Sequence, residues 1–317
     1  MILIVAGLGA AEPGAALAVR ATPAAVTADP VRIAAVGDIA CKNPPGNNIH
    51  VCRYDDVSHL IAGGSYRAFL ALGDEQYEAG AYDDFVSNYD AYFGRLLPIT
   101  YPVPGNHEYR TTDAAGYFQY FGNLAYGPNG WYSFDLGSWH VIALNSAVCS
   151  PYTGQPCDAG TPEYEWLKAD LAAHPNSQYP CTVAYWHHPV WDAENYQNNH
   201  WVDSYDYDRA RPFWNLLVRA HADVVLTGHN HNYQRYAPMN AKGRLDATGV
   251  QEFIVGTGGR NIDNLAATSK RPPTFQAGQG TSFGILAMTL GQGSYTWRFL
   301  TAAGQPAFKD AGIASCH

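Results

Sequence analysis

Five short apolar runs in this chain each end in side chains able to bind a metal. The run IAAVGD ends in Asp38. AFLALGDEQY brings Asp74 and, three residues on, Tyr77. ITYPVPGNHE delivers Asn106, His107 and Glu108, CTVAYWHHP delivers His187 and His188, and DVVLTGHNH delivers His229 and His231. Each is ordinary alone: an Asp after Val-Gly is usually a turn residue, and Asn106 after Pro104-Gly105 reads as a turn. The His229-Asn230-His231 pair says more, because alternate residues of an extended segment face the same way. Strands of an open α/β sheet deliver their C-terminal ends to one crevice, so donors distant in sequence can converge there. Five coincidences of this kind point to one shared metal site.

The elements that would position these donors are readable. Strands are expected at Val31–Val36, Ala68–Leu72, Ile99–Val103, Trp139–Leu144, Thr182–Trp186, Val224–Leu226 and Phe253–Val255. Helices are expected at Asp55–Ala62, Tyr82–Phe93, Pro162–Ala173 and Asp208–Ala220. The third helix has Pro162 at its first position, Thr161 as N-cap and an apolar stripe of Tyr164, Leu167 and Leu171. Trp131–Leu136 and Trp139–Leu144, joined by Gly137-Ser138, read as a hairpin, as do Ser282–Leu290 and Ser294–Leu300 around Gly291-Gln292-Gly293. The class is therefore α/β with mixed sheets, and no linker divides the body into two domains.

Bulk properties narrow the partners. The 317 residues are 47% apolar and only 15% charged, with a formal net charge of −9. A nucleic-acid scaffold would call for clustered Lys and Arg, so it is not expected as a partner. An anionic substrate would need bound cations to attract it. The apolar stretch Ile2–Ala11 is too short to span a bilayer and is followed by small residues, with Ala16-Leu17-Ala18 as a cleavage site. Residues 1–30 are thus read as an export leader to a secreted or periplasmic location, and 31–317 as the catalytic domain. No stable membrane insertion is expected, and no obligate protein partner is evident. Six cysteines without a CxxC pair favour disulfides in an exported protein. Six allow fifteen pairings, or free buried thiols. The pairing favoured here is Cys41–Cys52 and Cys149–Cys157, each closing a short loop, with Cys181–Cys316 pinning the chain end.

The ordered set GDIA, GDEQY, GNHE, His187-His188-Pro189 and GHNH resembles the calcineurin-like metallophosphoesterase superfamily, specifically its purple acid phosphatase branch. The resemblance runs from about Ile33 to Gly259. It implies a four-layer α/β/β/α sandwich of two mixed β-sheets flanked by helices, as a single domain. It also implies two metal ions. Asp38, Tyr77 and His231 would bind the first, Asn106, His187 and His229 the second, and Asp74 would bridge them, with His107 facing the substrate. Larger members carry a β-sandwich domain before the catalytic one; with the first site strand beginning near Val31, none is expected here.

Two departures bear on the chemistry. Ala40 stands where the branch usually has Gly and where most other metallophosphoesterases have His, so Tyr77 must fill the vacancy. A phenolate is a hard anionic ligand suited to Fe(III), which is the expectation for the first metal, with Fe(II), Zn(II) or Mn(II) at the second. Downstream of His187 the family often has further histidines; here the stretch is WDAENYQNNHWVD, and His200 is the sole candidate. Trp191, Tyr196 and Trp201 would make an aromatic rim, or simply pack. Gly256-Thr257-Gly258-Gly259 reads as a turn permitting close approach, since no GK[ST] follows it.

The expected activity is hydrolysis of a small phosphate monoester by a metal-bound hydroxide. Paired cations would lower the pKa of bound water and clamp the attacking and leaving oxygens. His107, or His200, would protonate the departing alkoxide. The alternatives are a phosphodiesterase or nucleotidase using the same site, and a non-catalytic iron-binding or redox protein, against which a substrate-facing His107 argues.

Overall fold

The computed structural model describes residues 29–46, 48, 50–149, 157–201, 208–265 and 271–317. Apart from residues 29 and 30, the expected leader lies outside them. Among the described residues, fifteen strands form two large sheets and one short hairpin. They are β1 (Val31–Val36), β2 (Ala68–Ala71), β3 (Thr100–Pro102), β4 (Tyr132–Leu136), β5 (Trp139–Ala143), β6 (Cys181–Tyr185), β7 (Tyr196–Gln197), β8 (His200–Trp201), β9 (Val224–Thr227), β10 (Tyr233–Tyr236), β11 (Gln251–Val255), β12 (Phe275–Gln279), β13 (Gly284–Gly291), β14 (Ser294–Thr301) and β15 (Ala311–Ser315). The first sheet runs β15-β14-β13-β1-β2-β3 and the second β12-β10-β11-β9-β6-β5-β4.

Burial explains which strands are parallel. Strands β2, β5, β6, β9 and β11 are buried at every position, as continuous apolar runs must be when both sheet faces are covered. Alternation along the second sheet sorts its side chains. Val141, Ala143, Val183, Tyr185, Val224, Leu226, Phe253 and Val255 join the core between the sheets. Ile142, Leu144, Ala184, Trp186, Val225 and Ile254 turn outward, against Leu167 of helix Pro162–Ala173 and Phe213, Trp214 and Leu217 of helix Arg211–Arg219. On the other side, Tyr54, Val57 and Ile61 of helix Tyr54–Ala62, together with Phe85, Tyr89 and Phe93, pack on the first sheet. The result is the expected four-layer sandwich with mixed sheets. By contrast β14 alternates buried with exposed residues and the edge strand β15 alternates half-buried with exposed ones, as antiparallel strands with one wet face do.

Several elements depart from expectation. The Tyr82–Phe93 helix contains a π-helical stretch, Phe85–Tyr89, and continues as a 3-10 turn to Ile99. Asp208–Ala220 is a 3-10 turn followed by the α-helix Arg211–Arg219. Thr161 occupies the N-cap position, yet its hydroxyl donates backwards to the Asp158 carbonyl at 2.8 Å and caps nothing. The first-turn carboxylate that matters there is Glu163. It is buried and accepts the Asn145 N–H at 2.6 Å, pinning the loop after β5. Strands β10, β12 and β15 are found where polar and glycine-rich sequence signalled none.

All three disulfides are those favoured from the spacing: Cys41–Cys52, Cys149–Cys157 and Cys181–Cys316. The last closes a separation of 135 residues, worth about 4–5 kcal/mol by loop entropy. No helix among the described residues is long and apolar enough to cross a membrane.

A second ionic cluster ties the β4–β5 hairpin to helix Pro162–Ala173. Buried His140 hydrogen-bonds Asp170 at 2.8 Å and Asp135 at 3.1 Å. Burial disfavours its charged form, but the bonds and charges of Asp170 and Asp135 outweigh this, and its pKa is raised. Asp170, opposed by burial but held by His140 and Ser133, titrates below its usual range. A raised histidine contributes fully below its unfolded pKa of about 6.5 and loses that contribution as pH climbs through the folded value. A depressed aspartate contributes above about 3.9 and loses it as pH falls through its folded value. The clasp is therefore strongest between these limits. His140→Asn is expected to lower Tm more at pH 5.5 than at pH 8.5, because the stabilisation from the charged ring is present only at the lower pH. Equal losses of Tm at both pH values would refute an ionic clasp.

Candidate metal centre

The loops that follow β1, β2, β3, β6 and β9 all open on one face, where the parallel strands of both sheets end. Their side chains meet there. The Tyr77 hydroxyl lies 2.9 Å from Asp38 Oδ1, 3.0 Å from Asp74 Oδ2 and 2.9 Å from His231 Nε2. His231 Nε2 is also 3.2 Å from Asp38 Oδ1. Beside this group, His187 Nε2 is 3.1 Å from Asn106 Oδ1, 3.3 Å from His229 Nδ1 and 3.3 Å from Asp74 Oδ2. His229 Nδ1 is 3.1 Å from Asn106 Oδ1. Two clusters thus share one oxygen, Asp74 Oδ2.

Backbone geometry shows what the convergence costs. Asp38, Asp74 and His229 all adopt positive φ, at 62°, 51° and 69°, a left-handed conformation that non-glycine residues enter at an expense of about 1–3 kcal/mol and that concentrates at functional sites. Close approach needs glycine beside them: a Cβ on Gly105 would stand 2.1 Å from Asp74 Oδ1, and one on Gly258 would stand 2.2 Å from the Gly37 carbonyl. The Gly256–Gly259 segment is the expected close-approach turn, with Gly258 N–H donating to Gly37 O and Arg260 N–H to Asp38 O. Ala40 is accommodated in a parallel bridge to Gln76.

The donor set is suited to cations. The His187 Nδ1–H donates to the Leu72 carbonyl at 2.8 Å, and His231 Nδ1 pairs with Asn261 Oδ1 at 2.8 Å. In the neutral rings, both Nε2 lone pairs then point at carboxylate oxygens, an arrangement that repels unless a positive charge lies between them. Asp38, Asp74 and His187 are almost wholly buried, and the ion pairs described for them are with histidines, not with Lys or Arg. Without a cation the protons rearrange strongly. Burial works against the charged forms, but Asp74 raises His187 to about 9 while His187 and His107 hold Asp74 well below the usual carboxylate range. Burial and the His187 charge drive His229 down to about 4. Burial, Asp38 and Asp74 push the Tyr77 phenol well above 10, so only a bound cation would favour its phenolate.

His107 stands just outside these clusters. Its N–H donates to Asp74 Oδ1 at 2.8 Å, its ring lies 4.1 Å from that of Tyr77, and its Nε2 is 3.8 Å from Asp74 Oδ2. His200 is not brought in. It sits exposed on β8 and lines a separate groove of about 540 Å³ with Tyr196, Trp201, Lys242 and Arg244, none of them a member of either cluster. Trp191 and Trp201 pack on each other at 5.0 Å, and Tyr196 packs on Trp201 at 5.2 Å.

Two residues named among the donors were given no role from the sequence. His188, second of the pair after β6, is buried against His229 with ring centroids 4.6 Å apart, its Nδ1 held by Ser146 at 2.9 Å. Its nitrogen, with those of His187 and His229, falls within a 4.8 Å group. Glu108 accepts three main-chain N–H bonds, from Asp74 at 2.9 Å, Gln76 at 3.1 Å and Gly105 at 2.7 Å. The motif signalled that Glu108 is present, but only tertiary structure shows which loops it joins.

The family model described as calcineurin-like phosphoesterase matches residues 31–233. The chain is 32% identical over 224 residues to purple acid phosphatase 21 of Arabidopsis thaliana, covering 65% of this chain and 47% of that protein. It is 29% identical over 235 residues to purple acid phosphatase 22 of the same plant, covering 69% and 49%. The chain thus spans about half the length of these curated relatives. Its fold is similar to that of the purple acid phosphatase PPD1 from yellow lupin seeds, with a TM-score of 0.71 and 16% identity over 92% of this chain and 55% of that one.

Proposed function

Because the chain belongs to the calcineurin-like phosphoesterase family, we propose that it is an exported phosphatase that hydrolyses small phosphate monoesters at a pair of metal ions. In this reading Asp38, Asp74, Tyr77 and His231 hold an Fe(III) ion, and Asp74, Asn106, His187 and His229 hold Fe(II), Zn(II) or Mn(II). The observation that carries it is the shared Asp74 Oδ2, 3.0 Å from the Tyr77 hydroxyl and 3.3 Å from His187 Nε2. The paired cations would supply Lewis acidity and an activated water. Export agrees with three disulfides and no free cysteine among the described residues.

The remaining work falls to the protein's own groups. His107 Nδ1–H donates to the Glu78 carbonyl at 2.7 Å, which leaves Nε2 as the nitrogen available to substrate. From there it can hold a phosphoryl oxygen or pass a proton to the leaving oxygen. His107→Ala is expected to lower kcat about 10²- to 10³-fold while the chain keeps most of its metal. Parallel loss of metal and turnover would reassign His107 from substrate to the metal site.

The reading is tested by elemental analysis, a visible spectrum and hydrolysis of p-nitrophenyl phosphate against bis(p-nitrophenyl) phosphate. Two metals per chain, a tyrosinate–iron charge-transfer band and preference for the monoester are expected. A colourless, fully metallated, active protein would remove the iron assignment. Preference for the diester would move the substrate to the phosphodiesterase class.

A further inference from the structure

Arg260 follows the glycine loop, and its main chain is tied to the centre. Its N–H donates to the Asp38 carbonyl at 3.1 Å, and its carbonyl accepts from Cys52 N–H at 3.1 Å, beside the Cys41–Cys52 disulfide. The guanidinium carbon lies 5.2 Å from the centre of the Tyr77 ring, the ring that also contacts His107 at 4.1 Å. Thus one aromatic ring, whose oxygen touches Asp38, Asp74 and His231, carries both the imidazole that faces substrate and a full positive charge.

That guanidinium is only half used. Its Nη2 pairs with Glu78 Oε1, on a carboxylate 46% exposed, and the side chain of Arg260 itself is 25% exposed. The buried Nε has no hydrogen-bond acceptor among the described residues. A purely structural clamp on the Tyr77–Glu78 segment needs only the face of the guanidinium and Nη2. It makes no use of Nη1, which forms no hydrogen bond among the described residues and is not one of the buried unpaired atoms, so that donor is open to an incoming acceptor. A phosphate oxygen matches the planar fork of arginine, whose charge never titrates.

We propose that Arg260 is a substrate-anchoring residue: its guanidinium binds a non-bridging oxygen of the phosphate group, and Glu78 is the internal anion that occupies it until substrate arrives. This rests on the phosphatase reading and adds a binding residue to it. The two residues then have opposite effects. Removing Arg260 weakens binding of the phosphate group, whereas neutralising Glu78 frees the guanidinium and strengthens it. Arg110 provides a comparison, since its Nη1 donates to the Glu78 main-chain carbonyl at 3.2 Å and it adds the same charge to the same rim.

The test uses the metal-loaded protein and inorganic phosphate, with Kd from titration calorimetry, its competitive inhibition constant, and KM and kcat for p-nitrophenyl phosphate. Arg260→Ala is expected to raise phosphate Kd and KM about 10- to 100-fold with metal content and Tm retained, and Arg260→Lys to recover part of this. Glu78→Gln is expected to lower phosphate Kd several-fold. The proposal is overturned if Arg260→Ala binds phosphate as tightly as the parent. It also fails if Glu78→Gln weakens binding alongside Arg260→Ala, the signature of a structural clamp, or if Arg110→Ala matches Arg260→Ala, the signature of general rim charge. A parent holoprotein that neither binds phosphate nor cleaves its ester would overturn the functional reading itself, and this inference with it.

Discussion

Asp74→Asn should lower kcat by about 10³-fold or more and strip at least one metal ion from each chain, while the protein stays folded. The substitution changes almost no volume, so the packing against Gly105 survives. The Asp74 Oδ1 acceptor for His107 N–H, at 2.8 Å, survives too if the amide oxygen takes that position. What changes is the atom at Oδ2. There a carboxylate oxygen faces the Tyr77 hydroxyl and His187 Nε2; an amide would present N–H donors and no charge to both clusters. Each proposed cation loses an anionic ligand in one step, and metal affinity within a buried site depends steeply on ligand charge. Elemental analysis beside kcat and Tm checks this. Two retained metals with kcat within about tenfold of the parent would mean that Asp74 bridges nothing.

How much of this could be read from the chain depends on whether information was local. The parallel strands were legible because burial on both faces demands unbroken runs such as IAAV and VVLT, and each proposed ligand lies within a few residues of such a run. Strands β10, β12 and β15 were not, since YQRY, FQAGQ and AGIAS lack any apolar alternation and are ordered by pairing to neighbours already in place. The π-helical stretch within 82–93 likewise follows no local rule. His200 shows the limit at the site. Its type fitted a catalytic role, but the path of the loop after His187 decides its position, and that path packs Trp191 on Trp201 and leaves His200 on an outer hairpin. Arg260 and Glu108 were opaque for the same reason: their partners lie 182 residues away in one case and up to 34 in the other.

Glu108→Ala is the substitution that should damage the scaffold most. The side chain is fully buried and its carboxylate is the acceptor for three main-chain N–H groups, two on Oε2 and one on Oε1. Two of the donors, Asp74 and Gln76, belong to the loop after β2, and the third, Gly105, to the loop after β3, so this one residue fixes the distance between the Asp74 and Asn106 side chains. Alanine would leave three buried donors without acceptors at about 1–3 kcal/mol each before relaxation, so a net loss of about 3–5 kcal/mol is expected in chemical denaturation. Metal affinity should fall with it, by about 10- to 100-fold, because the ligands lose their outer support. Glutamine separates the two roles. With its amide oxygen at the Oε2 position it keeps the Asp74 and Gly105 bonds and sets an NH2 group against Gln76 N–H, so it should recover more than half of the lost stability. If Glu108→Gln were as unstable as Glu108→Ala, negative charge rather than acceptor geometry would be what the loops require. If Glu108→Ala were as stable as the parent, the three bonds would not hold the loops together, and the spacing of Asp74 and Asn106 would have to be set by the strands alone.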